Sequence, residues 1–110
     1  MIAVIFEVTP KDEGFAEYLE IAASLREELQ GVDGFISIER FRSLVDERKV
    51  LSLSFWRDEA AVTRWRNTPN HRLAQAKGRF ELFESYRLRV AEVARDYSGD
   101  NREQVPEDSP

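Results

Sequence analysis

The chain has 110 residues, 42% of them hydrophobic, with two Trp, three Tyr and seven Phe, enough for one core and too few for two domains. A formal net charge of -5 excludes the broad basic surface that phosphate-backbone binding needs, and the lack of cysteine excludes disulfides, thiol nucleophiles, Cys-ligated zinc and iron–sulfur clusters. No signal-peptide pattern and no apolar run near the roughly 20 residues of a membrane span occurs, so a cytoplasmic protein with no membrane or nucleic-acid partner is expected.

Ile2, Val4, Phe6 and Val8 alternate with Ala3, Ile5 and Glu7, which predicts a strand over residues 2–8 that is mostly apolar on both faces. After Thr9-Pro10, Phe15, Tyr18, Leu19, Ala22, Leu25 and Leu29 recur at three- and four-residue spacing and predict an amphipathic helix to about Gln30. Gly31 is placed to end that helix in the left-handed conformation, and with Gly34 it brackets a turn. A second strand is expected over Phe35–Phe41, with Ile36 and Ile38 alternating against Ser37 and Glu39. A third follows over Val50–Trp56, with Leu51, Leu53 and Phe55 against Ser52 and Ser54. The polar residues 43–49 between them lack the Asn-Gly pair of the tightest hairpins and predict a longer loop.

Asp58 is suited to cap a short helix carrying Val62 and Trp65 that stops near Asn67, because Thr68-Pro69 starts a second piece with Thr as cap and Pro in the first turn. That second piece holds His71 in its first turn and Leu73, Ala76 and Phe80 on an apolar stripe; Gly78 weakens its end by about 1 kcal/mol relative to Ala. Ser85 to about Ala94 predicts a fourth strand, with Leu88 and Val90 set against Arg87 and Arg89. Residues 1–97 thus form one domain, and the polar, proline-containing residues 98–110 are expected to be a disordered tail or an arm on a partner subunit.

Strand, helix, strand, strand, helix, strand is the ferredoxin-like βαββαβ plan of an α+β domain, a four-stranded antiparallel sheet with its helices on one face. The two-sided strands leave the other face substantially apolar with no element of the chain left to cover it. Homodimerisation through that face, by an isologous contact, supplies the cover.

The segments GFISIERF and LSLSFW, the W-R-N-x-x-x-H run from Trp65 to His71, and the closing GRFELFESYRLRV together resemble the antibiotic biosynthesis monooxygenase (ABM) superfamily over roughly residues 2–95. The resemblance implies a dimeric α+β barrel, two sheets face to face across the dimer, and a pocket in each subunit between sheet and helices. It also implies a range of activities, from cofactor-independent quinone-forming oxygenases to haem-degrading ones, because fold does not carry function.

His71 is the one side chain here that titrates near neutrality, and it lies about 200° around the helix from Leu73, facing either a cleft or solvent. Trp65 stands nine residues after Trp56, where the family's pocket tryptophan stands, and ordinary core packing also suits it. Asn67 either orients a substrate carbonyl or ends the helix. Of the arginines near the broken helix and fourth strand, one or two, Arg79 foremost, can hold an enolate, phenolate or carboxylate, and Tyr86 can donate a hydrogen bond. The expected function is cofactor-independent monooxygenation of an aromatic or polyketide-like small molecule, with His71, Trp65 and Asn67 catalytic and Trp65, Arg79 and Tyr86 binding substrate. The alternatives are a haem-binding or haem-degrading protein and a non-catalytic dimeric ligand-binding module. The haem pattern implied by the resemblance puts an Asn on the first strand and a His ten residues after Trp65, where this chain has Glu7 and Gln75. A ligand is expected against the broken helix, its anionic oxygen held more tightly as pH falls through about 6.5.

Overall fold

The alternating and helical segments form, in order, β1 (Ile2–Pro10), α1 (Phe15–Gln30), β2 (Phe35–Arg42), β3 (Val50–Trp56), α2 (Glu59–Arg66), α3 (Pro69–Lys77) and β4 (Phe83–Glu92) in a computed structural model describing residues 1–110. A 3₁₀ turn at Asp12–Gly14 precedes α1, and a π turn at Gly78–Leu82 joins α3 to β4. The strands pair antiparallel in the order β2-β3-β1-β4, giving the ferredoxin-like α+β architecture. No helix is long and apolar enough to cross a membrane.

Register decides what each face carries, because residues directly opposite one another in paired strands project to the same side. Val4 lies opposite Ser54 and Val90, and Phe6 opposite Ser52 and Leu88, with Ile38 and Arg40 extending these rows onto β2. That side meets the helices. Its main buried cluster joins Leu29, Trp56, Ala61, Val62 and Trp65, and a second joins Val8, Tyr18 and Val50. Burying each side chain of Leu or Phe size contributes about 1.5–3 kcal/mol.

The opposite side places Ile5 across from Leu53, Ala3 across from Phe55, and Phe41 beside Leu51. None of these residues belongs to either buried cluster. Glu7 also lies on this side, its carboxylate 3.6 Å from Lys49 Nζ and 3.4 Å from Arg89 Nη1.

Several local expectations are corrected. Gly31 is right-handed (φ -85), and the one positive φ of the chain is at Gly34 (φ 91), where an added Cβ would stand 2.7 Å from Ala61 Cβ. Between Phe35 and Ser37 the β2 register shifts, so Phe35 packs edge-on against Trp56 while Ile36 is exposed. Leu19 is exposed as well, because α1 faces the sheet through Tyr18, Ala22 and Leu29. Asp58 caps α2 through Ala61 N–H as expected, at 2.9 Å. Thr68 makes no side-chain cap for α3 and instead donates its hydroxyl to the carbonyl of Trp65 at 2.9 Å. Leu73 and Phe80 are 70% and 72% exposed, so the stripe they define does not face a core; α3 has no buried residue. Gly78, finally, does more than weaken a helix end, since an added Cβ would lie 2.5 Å from the Phe83 ring.

Candidate active site

Between the sheet and the helices lies a cavity of about 450 Å³. Val4, Phe6, Ser52, Ser54 and Arg40 contribute to its floor, and Tyr18, Trp65, His71 and Gln75 contribute from the helices.

The break between α2 and α3 orients its chemistry. In an uninterrupted helix the carbonyl of Trp65 would accept from the N–H four residues on, but that residue is Pro69, which has none. The freed carbonyl accepts from Thr68 N–H at 3.1 Å and Thr68 Oγ1 at 2.9 Å, and His71 Nδ1 reaches it at 3.1 Å. A carbonyl only accepts, so Nδ1 carries the proton and neutral His71 presents Nε2 as a free base. The Gln75 amide nitrogen, 3.4 Å from Nδ1, is then a donor beside a donor; it donates instead to the carbonyl of Arg66 at 3.1 Å.

The imidazole lies nearly parallel to the Trp65 indole, 4.5 Å between centroids and 20° between planes. Partial burial under this ring disfavours the imidazolium and lowers the pKa of His71 from its ordinary value, against smaller opposing effects of the Trp65 carbonyl and the Glu28 carboxylate. Glu28 is itself held to Asn70 by a hydrogen bond. His71 is therefore neutral at pH 7, a competent proton acceptor beside an apolar wall.

Of the five residues singled out from the sequence, His71, Trp65, Arg79 and Tyr86 all line the cavity. Asn67 does not: it is the C-cap of α2, exposed, with Nδ2 donating to Thr63 O at 2.9 Å and Oδ1 accepting from Arg72 Nη1 at 3.3 Å. Arg79 is exposed at the rim, its guanidinium 5.2 Å from the centroid of Phe80, and Tyr86 packs against Phe6 and Phe83.

Three floor residues were missed. Ser54 is buried and accepts from Trp56 Nε1 at 2.9 Å, Ser52 sits one pleat along, and Arg40 lies directly across from Ser52. The signal was available: Arg40 continues the two-residue phase of Ile38, and the serines alternate with the leucines of β3.

A family profile described as "Antibiotic biosynthesis monooxygenase" matches residues 1–77. The chain is 53% identical over 93 residues to "Jasmonate monooxygenase ABM" of Pyricularia oryzae, covering 84% of this chain but only 43% of that longer protein. It is 34% identical over 95 residues to the uncharacterised protein YqjZ of Bacillus subtilis, covering 84% of this chain and 79% of the other. The solved structure of Rv0793 from Mycobacterium tuberculosis superposes with a TM-score of 0.79 at 18% identity, covering 88% of this chain and 98% of that one, a likeness of fold.

Proposed function

This chain belongs to the antibiotic biosynthesis monooxygenase family, and we propose that it is itself a cofactor-independent monooxygenase acting on a small, largely apolar molecule in the cavity between sheet and broken helix. The observation that carries this reading is His71, its tautomer fixed by the Trp65 carbonyl and its basic nitrogen left free in the cavity lining. Base and apolar wall are what such a reaction asks of a protein, because the substrate supplies the electrons.

In the step proposed, Nε2 removes a proton from an acidic C–H or O–H of the substrate, leaving a resonance-stabilised anion. That anion reduces dioxygen and bonds to it at carbon, giving a peroxide that takes the proton back from the imidazolium. Loss of water from a CH–OOH group then leaves a carbonyl, so that CH₂ and O₂ become C=O and H₂O with no outside reductant. Trp65 holds a planar or alicyclic body against the imidazole, and Tyr86 offers a hydroxyl at the rim. An aromatic or polyketide-like phenol meets these needs. So does jasmonate, for which the Pyricularia oryzae relative is named: a cyclopentanone with acidic C–H bonds beside its ketone.

Haem suits the residues less well. At the position where the haem-degrading pattern has its proximal His stands Gln75, whose amide is bonded to the Arg66 carbonyl, and Glu7 of β1 is turned to the other side of the sheet. We therefore derive no step through haem. A purely structural dimer with no small molecule requires the space under the helices to be filled, and about 450 Å³ of it is open, with Phe80 at its edge and 72% exposed.

Oxygen uptake on a panel of hydroxylated polycyclic aromatics and jasmonate, with enzyme free of added metal or haem, tests the reading. Turnover lost in His71→Ala is the expected result. A stoichiometric Soret shift on haem titration, lost in the same variant and followed by reductant-dependent bleaching, would replace it with the haem reading.

The same proposal includes a homodimer. Leu51, Leu53, Phe55 and Ile5 form an apolar field on the side away from the helices, and a two-fold contact covers it without touching the cavity. Light scattering is expected to give twice the 12.8 kDa of one chain.

A further inference from the structure

Arg40 differs from every other arginine in the chain. The rest are exposed, whereas Arg40 is partly withdrawn from solvent on the cavity floor, and its Nε is fully buried with no hydrogen-bond partner. The ion pairs of the molecule engage Arg48, Arg57, Arg64 and Arg89 and leave its guanidinium free. No Asp or Glu lines the cavity to balance it. A guanidinium partly drawn out of water, its Nε buried and without a counter-charge, is destabilising, so its place in a fold calls for a partner from outside the chain. Its planar fork matches a carboxylate bidentately, and the Ser52 hydroxyl beside it adds a donor.

Resting on the cavity being the ligand site, we propose that Arg40 anchors a carboxylate, so that the preferred substrate is an apolar body ending in a carboxylate group. The sheet sets the direction in which that body runs. From Arg40 the same row passes through Ser52 and Phe6 to Leu88, and at about 4.8 Å per strand it spans about 14 Å. The polar end is at β2 and the apolar end at β4. An acid anchored at Arg40 therefore lays its body over Phe6, leaving its reactive carbon to the residues that descend from α2 and α3. Arg79 is the competing cation, but it is exposed at the rim, on a ring that is itself 72% exposed.

The test uses a neutral dye, N-phenyl-1-naphthylamine, as the cavity probe. It is displaced by matched pairs that share one body and differ in charge: jasmonate with methyl jasmonate, and 1-naphthaleneacetate with its methyl ester. Wild type is expected to prefer at least one acid over its ester by about tenfold or more. Arg40→Met should bring that acid to the level of its ester while dye and ester affinities stay within about twofold, and Arg40→Lys should recover part of the preference. The unchanged dye affinity distinguishes loss of the anchor from loss of the fold. Equal displacement by acid and ester in wild type, displacement by neither, or a preference erased by Arg79→Met and retained in Arg40→Met overturns the carboxylate anchor while the cavity reading stands. A wild type that fails to bind the dye sinks both.

Discussion

On the helix side of the sheet, Arg40, Ser52 and Ser54 occupy places where a core of this size would ordinarily put Val or Leu. On the side that no helix covers, Ile5, Leu51, Leu53 and Phe55 stand where water would favour Ser or Lys. Each arrangement opposes the stability of an isolated monomer, the first by drawing polar groups out of water and the second by leaving apolar surface in it. The pattern makes sense if the two sides meet different things, a small polar-tipped molecule inside and a second copy of the chain outside. Glu7 with Lys49 and Arg89 marks the polar margin of the outer field, and on the inner side the only fixed charge on the floor has no partner at all.

The contrast can be broken from either side. The largest effect is expected inside: His71→Ala should lower oxygen-dependent turnover by about 10²–10⁴-fold with the fold retained, read from uptake rates and circular dichroism. Next comes the outer face, where Leu53→Glu introduces a charge into the proposed contact. Light scattering should then report the 12.8 kDa monomer, and the dissociation constant should rise by at least about 100-fold while dye binding in the cavity persists. If turnover collapses together with the dimer, the two sides are not independent and the comparison fails.

Smaller effects sharpen it. Ser54→Ala removes the acceptor of a buried indole N–H and should destabilise by about 1–3 kcal/mol in urea unfolding, which shows that one of the inner polar groups is structural. Pro69→Ala restores an N–H that competes for the Trp65 carbonyl. Turnover is expected to fall about fivefold to tenfold with little change in stability, through loss of the orientation of His71.

The smallest effect is in pH. Because the pKa of His71 is lowered by burial, the acid limb of the kcat/KM profile should lie below the ordinary histidine value near 6.5. The sign for stability follows: the unfolded chain takes up the proton first as pH falls. The contribution of neutral His71 is present above 6.5 and lost towards more acid pH, a dependence that His71→Ala should flatten. Any strengthening of anion binding by charged His71 is displaced to the same acid range.

Strand alternation made both faces of β1 and β3 legible, and with them the uncovered side, while the order of strands and helices made the fold legible. Thr68-Pro69 made the helix break legible too, because a missing N–H is written in the sequence. What it could not show is where the freed carbonyl's new partner would be, since the contact from Trp65 to His71 depends on how α3 turns after the break. The same turn explains why Leu73 and Phe80 form a stripe yet face no core: periodicity reports that residues share a side, and not what that side meets. Arg40 shares the two-residue phase of Ile38 but was missed, because it carries meaning only beside Ser52 and strand pairing is not visible in one chain's residue pattern. Asn67 shows the reverse case, a residue chosen for its chemistry whose amide is occupied in ending a helix.

The stack of His71 on Trp65 has an optical consequence. The chain has two tryptophans: Trp56, fixed by Ser54 in the buried cluster, and Trp65, in parallel contact with an imidazole. An imidazolium quenches the excited state of an indole it touches, and a neutral imidazole does so far less. Trp65 thus emits according to the protonation of its neighbour while Trp56 supplies an internal reference, and the molecule needs no added label to report, by its own light, whether its base holds a proton.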